Sequence, residues 1–191
     1  MSDLAPKTTL QARVAAAILE AAAAVLAARE QASMGEVAEA AGVARATLYR
    51  YFPTREALLD ELSRFALEQT GAQLEAANLD GVPVGDAFER AVRTLVGVGD
   101  YFVVLVRARP ESEDGGFDRR VVGPLRTLIS RGQTEGQIRD DVPAAWLIES
   151  LLSLVVSVLP SAPSLGPEDT VHAITSLLLH GAHGPRADRE A

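Results

Sequence analysis

Two short helices hinged on a glycine dominate what this chain can fold into. They lie in Ser33 to Leu59, which reads SMGEVAEAAGVARATLYRYFPTREALL. Ser33 suits a helix N-cap, and Glu36 three residues later completes a capping box. Met34, Val37, Ala38 and Ala41 follow at helical spacing, so a short helix is expected there. Gly42 ends it as a left-handed cap residue would. A second short helix is expected from about Ala44 to Tyr51. Pro53 stops it, because the residue before a proline avoids helical geometry. Thr54 then caps a longer helix along which Leu58, Leu62, Phe65 and Gln69 align.

Such a pair suits a helix-turn-helix, in which the first helix braces the second and the second meets base edges in the major groove of double-stranded DNA. The residue types fit that task. Arg45 can fork onto a guanine, and Thr47 can meet a base or a phosphate. Tyr49, Tyr51 and Arg55 can reach phosphate oxygens, while Val43, Leu48 and Phe52 are apolar and pack the unit. The expected DNA-contacting set is Ser33, Arg45, Ala46, Thr47, Tyr49, Arg50, Tyr51 and Arg55.

The string AGVARATLYRYFPTREALL resembles the recognition-helix consensus of the TetR family of bacterial transcriptional regulators. The family often has serine or glycine at Ala44, glycine or alanine at Ala46, threonine at Thr47 and Leu-Tyr at Leu48 and Tyr49, then a lysine or arginine at Arg55. The resemblance covers roughly residues 10–65; beyond that it rests on helix pattern and length. Arg131-Gly132, followed by Glu135-Gly136-Gln137-Ile138-Arg139, also resembles a turn found in many relatives. Two departures stand out: Glu30 occupies a position where relatives often have glycine, and Tyr51 replaces the commoner histidine. The resemblance implies a three-helix DNA-binding domain, set at residues 1–56, and a larger helical domain for ligand binding and dimerisation, set at 57–191. It also implies a repressor that a small-molecule effector releases from its operator.

The rest of the chain reads as helix. Alanine is abundant, and aromatics are only 5% of residues, a balance that favours helix over sheet. One helix is expected from about Leu10 to Ala28. A break follows near Gly81 and Pro83, and a single helix from about Val84 to Arg107 is loosened by Gly97 and Gly99. Pro110 to Asp118 is an acidic loop. A helix from about Asp118 to Glu135 is kinked or split at Gly123-Pro124. Two more helices span about Pro143–Leu159 and Pro167–His180. The expected fold is all-α.

A net charge of −8 argues at first against nucleic acid, but its distribution removes the objection. Residues 1–56 hold six basic and six acidic side chains, so the whole excess of 20 acidic over 12 basic groups lies in residues 57–191. A locally basic surface can bind phosphate while an acidic body faces away. The absence of cysteine excludes disulfides and thiolate metal sites. No uninterrupted apolar run approaches the roughly 20 residues of a membrane span. Asp3, Arg13 and Glu20 spoil a signal peptide, so a cytoplasmic protein with no membrane partner is expected.

Leu147, Leu151, Leu154, Val155 and Val158 leave the Pro143–Leu159 helix apolar around much of its circumference. One face can pack inward and the remainder needs a partner, which predicts a homodimer through this helix and the next. Two heads per dimer imply a palindromic operator. Family resemblance, with aromatics on facing helices, suggests an effector cavity lined by Phe88, Tyr101, Phe102, Leu105 and Trp146, with Arg107 or Arg126 as polar anchor.

Enzymatic readings find little support. Asp140-Asp141 stands just before Pro143, where acidic groups complement the positive end of a helix. His180 and His183 sit among glycines and a proline near the C-terminal end. No nucleophile–base pair, phosphate-binding glycine loop, cofactor or metal site is assigned. Two alternatives stay open at this stage: a helical adaptor without DNA binding, and a helix-turn-helix activator.

Overall fold

The computed structural model describes residues 5–108, 115–160 and 165–181, with side chains from Leu10 onward. Among the described residues every regular element is helical. In order they are α1 (Ala5–Ala28), α2 (Met34–Ala40), α3 (Arg45–Tyr51), α4 (Arg55–Ala76), a 3₁₀ turn (Leu79–Gly81), α5 (Val84–Val98), α6 (Asp100–Ala108), a π turn (Asp118–Val122), α7 (Gly123–Thr134), α8 (Ala144–Val158) and α9 (Pro167–His180). The fold is all-α, with an N-terminal helix-turn-helix and a C-terminal helical part.

The helices group into two compact units. The first holds the chain up to Gln69 together with α6. The second holds Thr70–Gly99 and the chain beyond Pro110. The unit boundary therefore does not coincide with the division expected at residue 56. Leu58, Leu62 and Ala66 of α4 are fully buried and belong to the first unit, as does α6, which returns to it from later in the chain.

In the first unit α1 packs against α2 and α6, and α2 packs against α3. The inner face of α1 is Ile18, Leu19, Ala22, Ala23, Leu26 and Ala27, all buried. Its segment Leu10–Ala28, with a mean hydropathy of 1.6, is by length and composition apolar enough to cross a membrane, although, as expected, no uninterrupted apolar run of that length occurs in it. Arg13 and Glu20 interrupt it without bringing it below that measure. The buried stripe gives its apolar character a purpose inside the first unit.

The second unit is built on α5, whose Val84, Ala87, Phe88, Ala91, Val92, Leu95 and Val98 form one buried face. That face meets α7, α8 and α9. Each large apolar side chain fully buried here contributes about 1.5–3 kcal/mol relative to exposure. The helix expected over Val84–Arg107 is in fact two. Gly99 takes φ +63° and ψ −130°, a conformation closed to residues with a β-carbon, and α5 stops there.

Gly123-Pro124 acts as expected, by a specific route. Pro124 has no N–H to donate, and the residues before it, Asp118–Val122, widen into a π turn. The Gly123 N–H then reaches the Asp118 carbonyl, five residues back. At the other end of α7, Gly136 has φ +71°, and its N–H donates to Gln133 at 3.1 Å while that of Gln137 donates to Gly132 at 2.9 Å. That is a Schellman cap. It brings Ile138 back over Gly132 so closely that a β-carbon there would stand 2.6 Å from Ile138 Cδ1. The Arg131 guanidinium donates to the carbonyls of Leu79, Asp80 and Val82, which holds the break after α4 in place.

Candidate nucleic-acid interface

The local geometry of residues 33–57 follows from its caps. Glu36 Oε2 accepts the Ser33 N–H at 2.7 Å, and Ser33 Oγ accepts the Glu36 N–H at 3.3 Å. The Ser33 N–H, the Ser33 hydroxyl donating to the same Oε2 at 2.9 Å, and Arg29 at 2.6 Å hold the Glu36 carboxyl below its ordinary pKa. At the far end of α2, Gly42 adopts φ +65°. Its N–H donates to Glu39 and that of Val43 to Ala38, both at 3.0 Å, a second Schellman cap. The chain thereby reverses within four residues and α3 starts at Arg45. Thr54 Oγ1 accepts the Ala57 N–H at 3.1 Å and caps α4 as expected.

The two faces of α3 are sharply different. Leu48 is fully buried, and Phe52, just past the helix, is buried too, above Met34, Val37 and Ala38 in the same core. Outward stand Arg45, Ala46, Tyr49 and Arg50, all exposed, with Thr47 and Tyr51 half-buried. The Arg45 guanidinium lies across Gly35 of α2. The Arg50 guanidinium sits 5.4 Å from the centre of the Tyr51 ring, within cation–π range. Seven of the eight expected DNA-contacting residues therefore lie on or beside one exposed surface, with Ser33 at its edge as a cap.

Arg55 is the exception, and its expected role is corrected. It donates through Nη1 to the Ala32 carbonyl and through Nη2 to the Glu30 carbonyl at 2.7 Å. Its fork closes the α1–α2 turn and is not displayed to a phosphate. The partners are 23 and 25 residues away, so no local pattern could have revealed them. Glu30 needs no left-handed backbone here, since Asn78 is the only non-glycine described residue with positive φ. The glycine common in relatives is thus dispensable at this turn.

The expected effector residues are divided between the two units. Phe88 is buried in the second unit, while Tyr101, Phe102, Leu105 and Arg107 belong to the first. Tyr101 stacks obliquely on Phe65, with ring centres 5.4 Å apart, and burial and Glu20 raise its phenol pKa. Arg107 donates through Nη1 to the Ala27 carbonyl at 2.8 Å and the Leu26 carbonyl at 3.4 Å, covering the C-terminal end of α1. Arg126 pairs with Asp118 at 2.8 Å. Trp146 is 71% exposed.

A different cavity exists in the second unit. It is a groove of about 620 Å³, lined by Gly71, Leu74 and Leu79 on one side and Arg119, Arg120, Pro124 and Arg126 on the other. Gly71 has no β-carbon, which lets Arg120 lie on α4; one added there would stand 2.6 Å from Arg120 Nε. Among the expected dimer residues, Leu151 and Val155 are fully buried within the protomer, so they serve its own core. Leu147, Leu154 and Val158 are half-buried, and the exposed Trp146 and Leu177 extend the apolar surface of α8 and α9. Among the described residues no three His, Asp or Glu side chains are grouped to hold a metal. His183 lies outside those residues.

Comparison with known proteins places this architecture. The profile of the bacterial regulatory proteins of the tetR family matches residues 18–62. The helix-turn-helix-type transcriptional repressor LfrR of Mycolicibacterium smegmatis is 34% identical over 142 residues, covering 70% of this chain and 71% of the repressor. The regulator NfxB of Pseudomonas aeruginosa is 27% identical over 175 residues, 88% of this chain and 94% of that protein. The crystal structure of the TetR-like LfrR from Mycobacterium smegmatis in complex with proflavine superposes with a TM-score of 0.72 at 29% identity, covering 92% of this chain and 99% of that one.

Proposed function

This chain belongs to the tetR family of bacterial regulatory proteins, DNA-binding transcriptional regulators and not enzymes, and we propose that it is a repressor which a small molecule releases from a palindromic operator. The observation that carries the reading is the exposed outer face of α3. Arg45, Ala46, Thr47, Tyr49 and Arg50 stand outward on a helix whose inner face is locked by Leu48, between a Schellman cap and Phe52. Side chains early in such a helix meet base edges, and later ones meet the backbone. Arg45 and Thr47 are therefore the readers, and Tyr49, Arg50 and Tyr51 the phosphate contacts.

The homodimer forms through α8 and α9, by Leu147, Leu154, Val158, Trp146 and Leu177. The effector occupies the groove of the second unit beside Arg119, Arg120 and Arg126. Its volume is within the usual range for small-molecule sites, and the relative LfrR was crystallised with a small molecule, proflavine. A ligand that prefers the non-binding state weakens DNA affinity by the ratio of its affinities for the two states. Such a regulator meets its DNA in the cytoplasm.

The test is a mobility shift on the DNA flanking the gene that encodes the chain, titrated with salt. A specific complex whose affinity falls steeply as salt rises supports the reading. No complex, or one indifferent to salt, leaves the chain an adaptor.

A further inference from the structure

The first unit contains a small cavity that its DNA-reading face does not use. About 240 Å³ in volume, it lies beside the α1–α2 turn, with Leu26, Leu59 and Val104 among its walls and Arg55, Arg107 and Glu30 around them. Leu26 and Val104 are buried and Leu59 half-buried. A dry cavity of about 150 Å³ admits benzene. This one has room for a ring or a short branched chain bearing one polar group.

The surrounding charges specify that group. Arg55 and Arg107 both donate to backbone carbonyls, and neither pairs with a carboxylate among the described residues. A neutral carbonyl does not compensate a guanidinium charge, and Glu56, the carboxylate that feels the Arg55 charge, does not line the cavity. Glu30 is the single acidic side chain on the wall, so two cations face one anion. Arg107 bonds to described residues through Nη1 alone. The other edge of its planar fork carries the parallel N–H pair that matches a carboxylate.

We propose that this cavity binds a small monocarboxylate, of aryl or short branched-chain size, and that its occupancy lowers DNA affinity. A carboxylate is a stronger acceptor than a backbone carbonyl. Seated on the free edge of Arg107, it competes for the Arg55 donors that hold the carbonyls of Glu30 and Ala32. Ala32 immediately precedes Ser33, the cap of α2, so loosening this turn unseats the helix that braces α3. The site lies within the DNA-reading unit and is independent of the groove in the second unit.

Titration calorimetry of the full chain with benzoate and with neutral benzamide tests the binding. Benzoate binds and benzamide binds at least about tenfold more weakly, as expected when a charge-assisted pair is lost. Leu59→Phe, which fills the cavity, and Arg107→Gln each weaken benzoate by about tenfold or more. Benzoate also shifts the methyl resonances of Leu26, Leu59 and Val104 in the unaltered protein, a readout that no folding defect can mimic. Equal binding of the two probes, unperturbed methyls, or no heat from benzoate at millimolar concentration overturns the site. Benzoate that binds without weakening the DNA complex overturns its regulatory half and leaves the repressor reading intact.

Discussion

Arg45 of α3 lies across Gly35 of α2, its Nη2 2.7 Å from where a β-carbon on Gly35 would stand. The contact crosses the helix-turn-helix from the bracing helix to the reading helix. Gly35 thus bears on the direction in which the Arg45 fork points. Gly35→Ala must displace that fork, and a flexible side-chain end moves without disturbing the core. Stability should be retained or rise by about 0.5–1 kcal/mol, since alanine favours helix over glycine. Operator preference should change at the base pair that Arg45 reads. Thermal melts beside a binding series on single-base variants check both parts; a large loss of stability with unchanged preference would refute the relationship.

Removing the cap at Ser33 acts on folding. Ser33→Ala should lower stability by about 0.5–2 kcal/mol in urea unfolding. The capping box also carries a pH signature. Hydrogen bonds from Ser33, helped by Arg29, depress the Glu36 pKa in the folded chain. Its stabilisation is therefore fully present above the ordinary carboxylate pKa and is lost as pH falls through the lower native value. Glu36→Gln, which removes the carboxylate that the Ser33 N–H and hydroxyl hold, should flatten this acid limb, and a limb as steep as before would exclude the box as its source.

Arg45 and Arg55 should fail in different assays. Arg45→Ala should cost about 1–3 kcal/mol of binding per half-site and relax the preference at one base pair. Arg55→Ala orphans the Ala32 and Glu30 carbonyls and should lower folding stability by about 1–3 kcal/mol. Its effect on DNA affinity should follow from the weakened turn, with the salt slope unchanged. A slope reduced by about one unit would restore Arg55 as a phosphate ligand.

The single tryptophan reports on assembly. Trp146 is 71% exposed on α8 of the protomer. If α8 and α9 form the homodimer, its emission should shift to the blue as concentration rises through the dimerisation range. Trp146→Asp should give a monomer by light scattering and weaken DNA binding. Emission that stays red in a species of dimeric mass would place the interface elsewhere.

The caps were legible because they are local. Ser33 and Glu36 stand three residues apart, Gly42 ends α2 where the apolar spacing ends, and Thr54 sits three residues before the N–H it accepts. Leu48 and Phe52 likewise marked the side of α3 that turns inward, since an apolar residue among polar neighbours sorts buried from exposed. With them came the all-helical fold and the exposed face of α3. The roles of Arg55 and Arg107 were not legible, because the carbonyls they hold lie 23 to 81 residues away in the chain. The same limit applies to Leu151, Val155 and Trp146: α8 is apolar around much of its circumference, and only packing decided that Leu151 and Val155 met the core while Trp146 stayed exposed. Sequence by itself determined which segments are helical and how they begin and end, because those choices are settled within a few residues. Tertiary structure decided what each polar side chain touches and where space remains, because both depend on chain segments brought together only by folding.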